Sequence, residues 1–139
     1  DGDCQAAVSW TVERFGALDI LVNNAAIQPL ASYQPLHELP THVWDRMVAV
    51  NFSGYTNLAR HALARMKRQK SGVVVNIASG HSHRTARQVP AYGPIKAGNL
   101  MQARQWGVEY ARDGIRVVSV SPGAIDTPLV RASLARQGG

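Results

Sequence analysis

Apolar residues along this chain follow two alternating rhythms. Short, β-branched runs stand at 18–22 (Leu18-Asp19-Ile20-Leu21-Val22), 73–77 (Val73-Val74-Val75-Asn76-Ile77) and 115–120 (Ile115-Arg116-Val117-Val118-Ser119-Val120). Their length and their bounding turn residues read as buried strands. Between them the spacing changes to three and four. Val8, Val12 and Phe15 predict a helix over 5–15, stopped by Gly16. Trp44, Val48, Phe52 or Tyr55, Leu58, Ala62 and Met66 predict a long helix over 42–68, with Thr41 as its N-cap. Ile95, Leu100, Trp106, Val108 and Tyr110 predict a third helix over 91–112, ended by Gly114. Residues 27–40, with Pro29, Pro35 and Pro40, read as loop, and Leu129, Val130 and Leu134 could begin another helix.

Helix, strand, helix, strand, helix, strand is the order of a parallel sheet with right-handed crossovers. The expected fold is α/β, a doubly wound, Rossmann-like parallel sheet, with residues 1–139 forming part of one domain. Each strand runs into an unusual segment: Asn23-Asn24-Ala25-Ala26, Ser79-Gly80, and Pro122-Gly123-Ala124-Ile125-Asp126-Thr127. Parallel strands present these segments on one edge of the sheet, where such folds hold their ligands.

The third helix opens with Tyr92-Gly93-Pro94-Ile95-Lys96. A tyrosine and a lysine four apart share a helix face. An ammonium within reach of a phenol favours the phenolate by about 1–3 pK units, which suits general acid/base work. Ser79, just past the second strand, could hold the oxygen that gains or loses the proton. Asn51 falls on the apolar stripe of the long helix, where an amide needs partners; a packing role and a functional one both fit. His81 and His83 share a loop with Arg84 and Arg87 but no acid, so the loop predicts a polar pocket wall and no metal site.

Composition narrows the class. Hydrophobic residues make up 45% and charged residues 17% of 139, a globular balance. One cysteine, Cys4, allows no intrachain disulfide, and no apolar run has the length of a membrane span. Cytoplasm is the default expectation. The net charge of +6 gathers partly at Arg60, Arg65, Lys67, Arg68 and Lys70. Cations at a helix end suit its macrodipole, and this reading is preferred to a nucleic-acid surface.

Together these residues resemble the short-chain dehydrogenase/reductase family over nearly the whole chain. Asn23-Asn24-Ala25-Ala26 resembles the family's Asn-Asn-Ala-Gly segment. Ser79 precedes Tyr92 by thirteen residues, and Lys96 completes Tyr-x-x-x-Lys. Asn51 stands at the family's helix-borne asparagine. Pro122, Gly123, Ile125 and Thr127 match the segment that grips the nicotinamide. The resemblance implies Asn51, Ser79, Tyr92 and Lys96 as catalytic residues. It implies Asn23, Ala25, Tyr92, Lys96, Pro122, Gly123, Ile125 and Thr127 around NAD or NADP. Tyr92 would move the hydroxyl proton, Lys96 would lower the Tyr92 pKa and hold the ribose, and Asn51 would join Lys96 through water to solvent. The implied substrate is a small alcohol or carbonyl compound, and within that class the polar loop from His81 to Gln88 suggests a hydroxylated or charged one, of sugar, polyol or 3-oxoacyl type. The implied assembly is a homodimer or homotetramer through the 42–68 and 91–112 helices. Ala26 replaces a usual glycine, Ile95 a usual Ser or Thr, and Val118 a usual Asn.

No glycine-rich phosphate turn occurs here, whereas the family opens with one. The chain begins at Asp1, and its first methionine is Met47. The resemblance therefore implies about sixty residues, two βαβ units' worth, ahead of Asp1, and a lid and a final strand after Gly139. The 139 residues alone are expected to be inactive and to expose both sheet edges. The alternative reading is a non-catalytic binding or structural protein that retains the fold.

Overall fold

The three β-branched runs pair as expected. In the computed structural model of the chain, which describes residues 1–128, 130, 131 and 135, strands β1 (Ile20–Asn23), β2 (Gly72–Ile77) and β3 (Ile115–Val120) form a parallel sheet in the order β1-β2-β3. Leu21, Val74 and Val117 stand side by side in register, and so do Val22, Val75 and Val118. Parallel neighbours require crossovers. Helices α2 (Thr41–Val48) and α3 (Gly54–Gln69) lie between β1 and β2, and α4 (Tyr92–Tyr110) between β2 and β3. Helix α1 (Gly2–Phe15) precedes β1 and ends at Gly16, whose φ of 83° is the left-handed cap a glycine adopts without penalty.

Strand side chains alternate between faces, and here the two faces differ. Leu21, Val74 and Ile115 are buried against Val8 of α1, against Ala59, Ala62, Leu63 and Met66 of α3, and beside Trp106 and Tyr110 of α4. The helices of this core all lie on that one face. On the other, Ile20, Val22, Val118 and Val120 are between 45% and 60% exposed. A doubly wound sheet has helices on both faces; the described residues supply one layer.

The long helix predicted over 42–68 is not a single α-helix. Residues Ala49–Ser53 form a π turn between α2 and α3, inserting one residue into the helical register. The buried stripe is accordingly Val43, Met47, Asn51, Tyr55, Ala59, Ala62 and Met66. Trp44, expected inside, is 37% exposed. Thr41 is the first helical residue and makes no cap bond; Pro40 precedes it. Phe15 and Val108, also read as core, are 68% and 81% exposed. The 27–40 segment contains two 3-10 turns, Leu30–Ser32 and Leu36–Glu38. Leu129 and Leu134 lie outside the described residues.

The π turn and α4 approach closely. A Cβ on Gly98 would come within 2.7 Å of the Phe52 ring, so only glycine fits there without movement. The basic end of α3 is largely engaged: Arg65 donates to Gln69 and to the Gly16 carbonyl, Lys67 and Lys70 face Asp113, and Arg60 faces Asp1.

Exposed apolar strands invite association. Light scattering on the isolated 139-residue chain should show self-association, and replacing Val22 and Val118 by Lys should reduce it several-fold. Unchanged scattering in that double variant would place the sticking surface elsewhere.

Candidate active site

The site lies at the carboxyl edge of the sheet. Past β2, Ser79 caps the short turn Gly80–Ser82: its Oγ accepts from the His81 N–H at 3.1 Å, while the Ser79 N–H donates to the Ser82 Oγ at 3.2 Å. This capping box leaves the Ser79 hydroxyl proton free to point elsewhere. Tyr92, the first residue of α4, lines the same cavity, and the Ser79 hydroxyl acts to lower the pKa of its phenol. The His81 ring stands edge-on to Tyr92 with centroids 5.9 Å apart.

Lys96 follows one helical turn later and is only 1% exposed. Its ammonium donates to the Ile77 carbonyl at 2.7 Å and to the Tyr55 hydroxyl at 3.2 Å. The nitrogen stands 5.3 Å from the Tyr55 ring centroid and 5.8 Å from that of Tyr92. Tyr55 in turn donates to Ile77 at 3.1 Å. Burial pushes the Lys96 pKa down to about 8. Burial, and then the neighbouring Tyr92, push Tyr55 up to about 12.

These facts correct one expectation. The Tyr92 phenol is raised above its ordinary value: burial lifts it most, the hydrogen bond from Ser79 opposes, and Tyr33 adds to the rise. The Lys96 ammonium donates to Tyr55 and Ile77 and not to the Tyr92 phenol.

Asn51 is fully buried, on the π turn. Its side chain makes a reciprocal pair with the Ile27 backbone, accepting at 2.8 Å and donating at 2.8 Å. Its carbonyl accepts from Asn99 at 3.0 Å. Thus Asn51 pins the segment after β1 to the helix layer and has no direct bond to Lys96. Asn23 is also committed, donating to Asn76 at 2.9 Å; Ala25 is exposed at the end of that strand.

Past β3, Pro122 and Gly123 line a cavity of about 470 Å³ together with Ser79 and Tyr92. The Pro122 carbonyl accepts from the Gly80 N–H at 2.9 Å, joining the two segments. Ile125 is exposed, and the Thr127 Oγ1 accepts from the Val130 N–H at 3.3 Å; neither lines this cavity. His83 contacts the Ser121 hydroxyl at 3.2 Å, so the polar loop is tied to the same edge.

Sequence reasoning missed Tyr55, visible only as an alternative in an apolar stripe. It also missed a buried amide chain. Asn76 donates to the Asn99 carbonyl, Asn99 to Gln102, and Gln102 to Thr56. The available signal was spacing: Asn99 stands one turn after Lys96, and Gln102 one turn after that.

A family profile described as short chain dehydrogenase matches residues 1–138. The 2-(R)-hydroxypropyl-CoM dehydrogenase of Xanthobacter autotrophicus is 40% identical over 131 residues, covering 94% of this chain and 52% of that protein. Among solved structures, levodione reductase superposes with a TM-score of 0.90 at 35% identity, over 96% of this chain and 51% of that one. A gluconate 5-dehydrogenase from Burkholderia cenocepacia, in complex with NADP and tartrate, gives 0.88 at 31% identity, over 94% and 50%. The chain spans about half the length of the curated relatives it matches.

Two outcomes follow from the buried ammonium. Tyr55→Phe should bring the Lys96 pKa below about 8, because an acceptor for the charged form is lost while burial remains; NMR titration of the Lys96 side chain measures it, and an unchanged value would remove Tyr55 from this role. Second, between about pH 8 and 10.5 the unfolded chain holds a lysine proton that the folded chain has shed, so stability gains from Lys96 as pH rises through that window. Below pH 8 both states are protonated and this contribution is flat. Denaturant titrations at several pH values should show the rise in the wild type and lose it in Lys96→Met.

Proposed function

Since this chain belongs to the short chain dehydrogenase family, we propose that the complete protein is an oxidoreductase that interconverts an alcohol and a carbonyl compound with NAD or NADP. The observation that carries this reading is the meeting of Ser79 and Tyr92 in one cavity at the sheet edge, with the Lys96 ammonium buried a helical turn away.

The residues present fit a dinucleotide. A side chain added at Gly123 would meet nothing within 4 Å, so the backbone there is open to close approach. Two of the Lys96 N–H donors are used, to Ile77 and Tyr55, which leaves a third for a ribose hydroxyl. Pro122, Gly123, Tyr92 and Lys96 would hold the nicotinamide end, with Asn23, Ala25, Ile125 and Thr127 as the wider wall. Bound there, the cofactor supplies or takes the hydride. The NADP complex of the similar gluconate 5-dehydrogenase supports the assignment.

The chain's own groups handle the proton. Tyr92, with a raised pKa, is a protonated phenol at neutral pH and can give its proton to an oxygen that gains charge. When substrate enters, the Ser79 hydroxyl would turn its one proton from Tyr92 to the same oxygen, while its own oxygen keeps accepting from the His81 N–H. In the reverse direction the phenolate must form first, helped by the Lys96 charge when the ammonium turns toward it. Asn51 keeps the post-β1 segment in place and, through water, would link this centre to solvent. The cavity favours a hydroxylated or charged substrate, of sugar, polyol or 3-oxoacyl type. Met101 and Val108, exposed on α4, support a homodimer or homotetramer that packs the helices over 42–68 and 91–112 against a second copy.

Assays on the complete gene product test this. Carbonyl reduction should hold through neutral pH and fall only in the alkaline range, since the phenol must be protonated; alcohol oxidation should rise with pH. Tyr92→Phe should cost about 10²- to 10⁴-fold in kcat. A Tyr92→Phe variant with undiminished turnover would sink the reading.

A further inference from the structure

The wall facing Ser79 and Tyr92 carries an unanswered charge. Two cavities, of about 470 and 530 Å³, share His81, Arg84, Thr85, Ala86 and Val89. Arg84 is the one guanidinium on this shared wall, and neither cavity is lined by Asp or Glu among the described residues. Its backbone N–H donates to the Gly80 carbonyl at 3.1 Å. Its Nη2 lies 3.9 Å from where a Cβ of Gly80 would stand, so the guanidinium sits over the residue next to Ser79. Among the described residues no carboxylate comes within ion-pair distance of it. Asp126, on the facing segment past β3, is taken by Arg131 in a two-bond pair at 2.6 and 2.7 Å.

From this placement we infer that Arg84 is a specificity-determining residue that grips a carboxylate on the substrate, making the substrate class a hydroxy acid or oxo acid with its carboxylate a few bonds from the reacting carbon. A planar guanidinium fork matches a carboxylate through two parallel N–H bonds. Arg84 lines the same cavity as Ser79 and Tyr92 with its guanidinium over Gly80, so a molecule with its oxygen between Ser79 and Tyr92 could place a nearby carboxylate at the guanidinium. The inference rests on reading this cavity as the place of an alcohol or carbonyl substrate.

The test uses the complete gene product with 3-hydroxybutyrate and a cyclic hydroxy acid, each compared with its neutral methyl ester. Wild type should prefer acid to ester. Arg84→Gln should lower kcat/KM for the acids by about ten- to a hundredfold, mainly through KM, and leave the esters and the melting temperature unchanged. Arg84→Lys should restore part of the loss. Equal use of acid and ester by wild type overturns the proposal, as does a loss in Arg84→Gln confined to the KM of the dinucleotide. If neither acid nor ester is turned over, the oxidoreductase reading is judged by its own assays, and calorimetry with 3-hydroxybutyrate decides the grip. Binding to wild type but not to Arg84→Gln upholds the grip, and no binding, or equal binding, removes it.

Discussion

A positive charge almost without solvent governs this half-sheet. Lys96 needs acceptors because burying an ammonium without them costs several kcal/mol. The carbonyl that serves is that of Ile77, the last residue of β2. The same oxygen receives the Tyr55 hydroxyl. A single backbone atom therefore joins α3, β2 and α4, and the position of the sheet edge, the helix start and Tyr92 all follow from it. The lowered lysine pKa is the residue of this conflict: two good hydrogen bonds reduce the burial penalty without cancelling it.

A second, uncharged layer holds the helices that carry this arrangement. The π turn places the Asn51 and Phe52 carbonyls within reach of α4, where Asn99 and Gln102 answer them. Asn99 Oδ1 itself is buried with no partner among the described residues. One unanswered acceptor costs about 1–3 kcal/mol, a local penalty carried inside a network that fixes the helix register. Amides suit that task because each both donates and accepts, so a chain of them transmits position from β1 to α3 without adding charge.

Strands were legible because a short β-branched run between turn residues has few other uses, and their parallel order followed from the helices between them. Ser79, Tyr92 and Lys96 were legible by spacing, since a strand end and one helical turn convert sequence distance directly into proximity. The inner face of the long helix was not. A reading at 3.6 residues per turn cannot see an inserted residue, and Phe52 and Tyr55 compete for one position of the stripe at the place where the period slips. The lysine's actual partner was hidden by the same slip, for Tyr55 faces inward only in the shifted register. The direction of the Tyr92 shift was hidden for another reason: spacing shows that a cation is near, not which oxygen its protons choose.

Gly98 gives the helix interface a gauge. The gap between the π turn and α4 is as wide as a Phe52 ring against a bare backbone, and the bonds from Asn99 and Gln102 to the Asn51 and Phe52 carbonyls span that gap. Lys96 is two residues away on the same rigid helix. A single methyl group at position 98 would act as a shim, lifting α4 off its seat by tenths of an ångström. The sheet would tolerate such a shift, but hydrogen bonds of 2.7 and 3.2 Å at Lys96 would register it first. The tolerance of this site is thus set by an atom the chain does not have.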